Sequence, residues 1–198
     1  MSKAKGLALF PGAGSSCDHS SLVAIEEAMA PLPVGRFDFP YRRAGKRPPD
    51  KATVLLGCVH DEVTAFAKAN KARTTSLVIG GRSMGGRMCS MAAAGESGIA
   101  GVMRDALRVR GLVLISYPLH PPAKPENLRV DHFSRVTVPT LFIHGTKDPF
   151  GSPFELKKHV KAIEGDVTFH FIENGRHDMK GADDAIAQIV RDWVAMLH

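Results

Sequence analysis

The stretch Ser76-Leu77-Val78-Ile79-Gly80-Gly81-Arg82-Ser83-Met84-Gly85-Gly86-Arg87 constrains this chain more than any other. It reads as a short apolar strand, an abrupt turn and a helix start, with Gly81-x-Ser83-x-Gly85 at the turn. A residue at so sharp a strand-to-helix junction is held in a strained backbone region, and its side chain is pushed out above the sheet. Both flanking positions crowd neighbouring backbone and need a residue without a Cβ. The helix N-terminus behind the serine offers free N–H groups to a developing negative charge. Ser83 is therefore a candidate nucleophile. The competing reading is a glycine-rich turn with no chemistry, and only the surrounding pattern separates the two.

That pattern is legible from the N-terminus onward. Gly6-Leu7-Ala8-Leu9-Phe10 reads as a buried strand closed by Pro11-Gly12-Ala13-Gly14-Ser15-Ser16. Helical periodicity follows through Leu22, Val23, Ile25 and Met29 and stops before Pro31 and Pro33. Phe37–Tyr41 predicts a second strand, and Arg42-Arg43-Ala44-Gly45-Lys46-Arg47-Pro48-Pro49 a basic, helix-hostile loop. Asp50 is placed to cap a long helix with Val54, Leu55, Cys58, Val63 and Phe66 inward, fading at Asn70-Lys71. After the Ser83 turn come a small-residue helix over Met84–Ala94 and a polar, partly helical segment over Gly95–Arg110. Gly111–Ser116 is a fully apolar strand, as expected when both faces of a parallel sheet are covered. Beyond the stiff Tyr117–Pro125 exit, Val138–His144 predicts a strand, Pro153–Ile163 a helix and Val167–Ile172 the last strand. A closing helix over Ala182–Leu197 turns Ile186, Ile189, Val190, Trp193 and Val194 to one side.

Strands alternating with helices predict an α/β fold, a mostly parallel sheet of about six strands in three layers. Its 198 residues suit a single domain over 1–198. Only about twenty residues separate the two strands after the Ser83 turn, too few for a large lid. Hydrophobic content of 44% and charged content of 23% are ordinary for a water-soluble globular chain. No run approaches the roughly 20 apolar residues that span a bilayer, and the N-terminus lacks a signal-peptide pattern, so a cytoplasmic protein with no membrane partner is expected. The net charge of +6 comes without a nucleic-acid motif or basic tail and reads as a solvated surface rather than a nucleic-acid interface. The three cysteines, Cys17, Cys58 and Cys89, are widely spaced and fit reduced thiols. No H-E-x-x-H or similar spacing occurs, so neither a metal nor another cofactor is expected.

In open α/β sheets the functional loops gather at the carboxyl ends of the strands. Ser83, Asp148 and His177 each fall just past such an end. His177 can serve as the base that takes the serine proton, and Asp148 can hold the other ring N–H and the tautomer. Asp178 is the competing acid, but neighbouring residues rarely face each other. Backbone N–H groups of Met84 and Ala13 are the candidate oxyanion donors. The loop that carries Ala13 has two further readings, a plain tight turn and a dinucleotide fingerprint, the latter lacking its third glycine at Cys17. Gly12, Tyr41 and His120 are candidate pocket-lining residues. His144, inside a strand, reads as a satisfied core residue. The basic loop suggests a preference for anionic acyl groups in a small-molecule substrate.

Gly80–Arg87, Tyr117-Pro118-Leu119-His120-Pro121-Pro122 and His144-Gly145-Thr146-Lys147-Asp148-Pro149-Phe150-Gly151 together resemble the KANL/Tex branch of α/β-hydrolases, relatives of the dienelactone-hydrolase-like enzymes. The resemblance covers nearly the whole chain. It implies a compact, lidless sheet without the first two strands of the full hydrolase fold, a Ser-Asp-His chain order, and Ser83, Asp148 and His177 at the triad positions. The resemblance fixes no substrate; with no domain to enclose an extended peptide, a carboxylesterase or thioesterase is expected rather than a peptidase. A non-catalytic scaffold that keeps the fold is the alternative.

Overall fold

Alternate residues of the apolar strands face opposite ways, and each set is buried, which is what builds three layers from this sequence. In the computed structural model, which describes residues 3–197, the elements run β1 (Gly6–Phe10), α1 (Ser20–Met29), β2 (Val34–Arg36), α2 (Pro40–Arg43), α3 (Ala52–Ala69), β3 (Leu77–Arg82), α4 (Met84–Ala93), β4 (Gly111–Ile115), β5 (Thr140–Gly145), α5 (Pro153–His159), β6 (Val167–Ile172) and α6 (Asp183–Met196). The strands form one six-stranded sheet in the order β2-β1-β3-β4-β5-β6. Every pairing is parallel, with Phe10 beside Gly81 and Arg82 beside Ile115 in register.

One face of the sheet, through Phe10, Ile79, Leu114 and Phe142, is covered by α3, α4 and α5. The other, through Leu9, Val78, Val113 and Ile143, is covered by α1 and α6, with Ile25, Val190 and Trp193 against it. Each fully buried Leu or Ile stabilises the layers by about 1.5–3 kcal/mol relative to exposure.

Three local expectations are corrected. The second strand is Val34–Arg36, not Phe37–Tyr41. The aromatic side chains after it turn inward instead, Phe37 and Phe39 packing on Phe10 with ring centroids 5.6 and 5.5 Å away, and Pro40 opens a one-turn helix. Helix α3 is preceded by Lys51 with no side-chain cap, so Asp50 does not cap it. Residues 95–110 form turns and one isolated bridge, Glu96 to Met103, with no helix. Among the described residues, no helix is long and apolar enough to cross a membrane.

Candidate active site

The turn at Ser83 is as sharp as its glycines require. Ser83 has φ 48° and ψ −114°, a conformation that costs on the order of 1–3 kcal/mol. Phe10 of the neighbouring strand passes so close that a Cβ on Gly81 would lie 2.0 Å from its carbonyl oxygen, and one on Gly85 2.2 Å. The turn is locked to β4 by the Ser83 N–H, which donates to the Ile115 carbonyl at 2.8 Å, while Arg87 N–H donates to Ser83 O at 3.0 Å and starts α4.

The exits of β5 and β6 are tied together, and this brings Asp148 and His177 within reach of each other. Lys147 N–H donates to Gly175 O at 2.8 Å, and Asn174 N–H donates to Thr146 Oγ1 at 2.8 Å. His177 then places Nδ1 2.8 and 3.0 Å from the two Asp148 oxygens, and Nε2 2.9 Å from Ser83 Oγ. Asp148 Oδ1 also accepts the Phe150 N–H at 2.9 Å. A carboxylate so engaged leaves Nδ1 as the protonated nitrogen, so Nε2 faces the serine as an acceptor. The Asp148 carboxylate is shut away from solvent, whereas the His177 side chain stays 24% exposed. Asp178 is exposed, and its carboxylate makes no bond to the His177 ring.

Ser83 and His177 line an open cleft of about 650 Å³, together with Gly12, Ala13 and Phe150. The Met84 N–H stands at the first position of α4, where no intrahelical acceptor exists. Phe150 packs on the His177 ring with ring centroids 4.0 Å apart.

Two expected lining residues are elsewhere. Tyr41 is buried in the core and acts from behind the loop, its hydroxyl donating to the Ala13 carbonyl at 2.9 Å. His120 is also buried; its Nδ1 lies 2.8 Å from Pro121 O and its Nε2 3.7 Å from Glu155 Oε1, away from the cleft. The basic loop does not line it either, and Arg43 pairs with Glu62. The cleft's cations are instead Arg82 and Arg176. His144 is half satisfied: Nε2 meets Gly151 O at 2.8 Å, Nδ1 has no partner, and burial pushes its pKa down. Among the described residues, no group of three or more His, Cys, Asp or Glu side chains is gathered to hold a metal ion.

Sequence reasoning missed Arg82, Phe150 and His19 as parts of the cleft. His19 caps α1 with its ring, Nδ1 accepting the Ser21 N–H at 3.3 Å, and burial beside Arg82 lowers its pKa. A histidine just before a helical run was the available signal.

Residues 4–189 match the family described as the alpha/beta hydrolase domain, and the chain belongs to that family. Its fold resembles Est1E from Butyrivibrio proteoclasticus at a TM-score of 0.73 and 17% identity, over 96% of this chain and 87% of that one. Dienelactone hydrolase from Anabaena variabilis aligns at a TM-score of 0.67 and 21% identity, over 96% and 85%. A serine hydrolase without lid from Xanthomonas campestris aligns at 0.68 and 17%, over 98% and 84%.

Proposed function

We propose that this α/β hydrolase is a serine esterase or thioesterase of the lidless KANL/Tex type, a single domain over residues 1–198 acting in the cytoplasm on a small-molecule acyl substrate. The observation that carries the reading is the unbroken Asp148–His177–Ser83 hydrogen-bond chain opening into a solvent-accessible cleft. Ser83 Oγ attacks the acyl carbon while its proton passes to His177 Nε2, and Asp148 stabilises the imidazolium that forms. The N–H groups of Met84 and Ala13 receive the oxyanion, a contribution of several kcal/mol to the barrier in such sites. Collapse of the tetrahedral adduct returns the His177 proton to the departing alcohol or thiol and leaves an acyl-Ser83 ester. Water, deprotonated by His177, then releases the carboxylic acid and restores the serine. The open cleft favours small esters and thioesters over extended peptides. Est1E, whose fold is similar, has been described with ferulic acid bound, a carboxylic acid of the kind such a reaction releases.

Turnover of short-chain p-nitrophenyl esters and acyl thioesters, compared between the natural chain and Ser83→Ala, tests the reading. Hydrolysis that falls by at least about 10³-fold in Ser83→Ala supports it. Turnover that survives the substitution overturns it, as does a folded natural chain silent on every ester and thioester.

A further inference from the structure

Arg82 occupies the variable position of Gly81-x-Ser83, the last residue of β3, and the residue is 5% exposed. A buried cation is costly unless it is paired and hydrogen-bonded. Yet among the described residues no carboxylate lies within salt-bridge distance of it; Asp183, Asp178 and Asp148 favour its charge only from farther away. Its donors go to neutral oxygens instead. Nη2 donates to the carbonyls of His177 and Asp178, both at 3.0 Å, and Nη1 donates to Ser21 Oγ at 3.3 Å. An apolar side chain of similar length would fill the same volume without the desolvation cost, so the fork's geometry is what distinguishes arginine here.

The carbonyl of His177 receives a second donor, the buried Ser116 Oγ at 2.8 Å, from the end of the adjacent strand β4. Both lone pairs of that oxygen are thus taken, one by the residue next to the nucleophile and one by the neighbouring strand. Ninety-five positions separate Arg82 from His177 in sequence, and the bond joins them directly. The third contact extends the tie to α1, where the Ser21 hydroxyl meets His19 Nδ1 at 3.1 Å on the cleft wall.

We infer that Arg82 is a positioning residue: its guanidinium clamps the His177–Asp178 backbone to the strand that carries Ser83, and so fixes the base between the serine and Asp148. This rests on the proposed hydrolytic role of Ser83 and His177. The nucleophile and the base then share one anchor, which fixes the 2.9 Å Ser83–His177 contact. A misplacement of about 1 Å in such a pair costs on the order of 10²-fold in rate.

The test replaces Arg82 by Met, which keeps the stem and removes the fork, and by Lys, which keeps the charge and removes the fork. Ser116→Ala removes the second donor alone. Kinetics on a p-nitrophenyl ester are read together with the proton NMR signal of His177 Nδ1–H, which does not depend on turnover. In folded Arg82→Met the expected result is a kcat lower by about 10²-fold, a KM within about threefold, and loss of the Nδ1–H signal through exchange with solvent. Ser116→Ala should show the same split in weaker form. Where Arg82→Met fails to fold, Arg82→Lys carries the test and should show the same pattern. A folded Met or Lys variant that retains both kcat and the Nδ1–H signal overturns the inference. A natural chain inactive on esters defeats the hydrolase reading instead, and the NMR signal still decides whether Arg82 holds His177.

Discussion

His177 and His144 approach the same carboxylate from different strand ends, and they are built for different ends. His177 Nδ1 is 2.8 Å from Asp148 Oδ2, its ring is partly open to the cleft, and its far nitrogen meets a hydroxyl. His144 Nε2 is 3.8 Å from the same oxygen, its ring is sealed in the core, and it holds the Gly151 carbonyl instead. A shared partner therefore does not make a shared role. What separates them is access: a proton acceptor must see both a carboxylate and a reacting group, whereas a core histidine needs only to satisfy backbone.

Substitutions can sharpen that contrast. The largest effect is expected at the cleft: Asp148→Asn should lower kcat by about 10⁴-fold through the wrong imidazole tautomer, and His177→Ala by still more. Steady-state kinetics on any turned-over ester would show it. At the core histidine the balance should invert. His144→Leu orphans the Gly151 carbonyl and should cost about 1–3 kcal/mol in urea unfolding, with kcat falling less than about tenfold. A kcat loss at His144 equal to that at His177 would break the distinction.

Acid should destabilise the fold through its buried histidines, which resist protonation only while folded. His132, buried with Nε2 2.8 Å from Ser90 Oγ, has its pKa pushed down to about 3 by burial and by the charges of Arg87 and Arg135. The unfolded chain binds a proton near pH 6.5 that folded His132 refuses, so stability present above that pH falls as pH drops toward 3. Between pH 7 and 5 this group alone should remove about 2 kcal/mol, and His19, His60 and His144, also lowered by burial, act in the same direction. Unfolding titrations at the two pH values, repeated in His132→Gln with a shallower slope, check it. The smallest effect is expected from Tyr41→Phe, which takes away the donor to the Ala13 carbonyl: about 1 kcal/mol of stability and a kcat reduction of a few-fold at unchanged KM.

The order of the elements and the meeting of Ser83, Asp148 and His177 were readable because both follow from local patterns. Apolar runs predict parallel strands, and chemistry-bearing residues just past them gather at the carboxyl ends of those strands. What stayed hidden was set by distant contacts. Phe37–Tyr41 has three aromatics that favour a strand beside Asp38 and Pro40 that do not; the aromatics are drawn inward, Phe37 and Phe39 onto Phe10, and the short edge strand Val34–Arg36 is only half buried and carries little apolar signal. Tyr41 and His120 follow strand exits, but sequence position does not say which way a side chain turns. Arg82 was visible as a charge between a buried strand and a helix start, a place where charge is unusual, but its partners lie across the sheet.

The most direct measurement is fluorophosphonate labelling of the folded chain, with the adduct mapped by mass spectrometry and His177→Ala and Ser83→Ala as controls. The account predicts one adduct, on Ser83, that disappears in Ser83→Ala and slows by orders of magnitude in His177→Ala. A folded chain that resists labelling, or that labels equally well without His177, would contradict it.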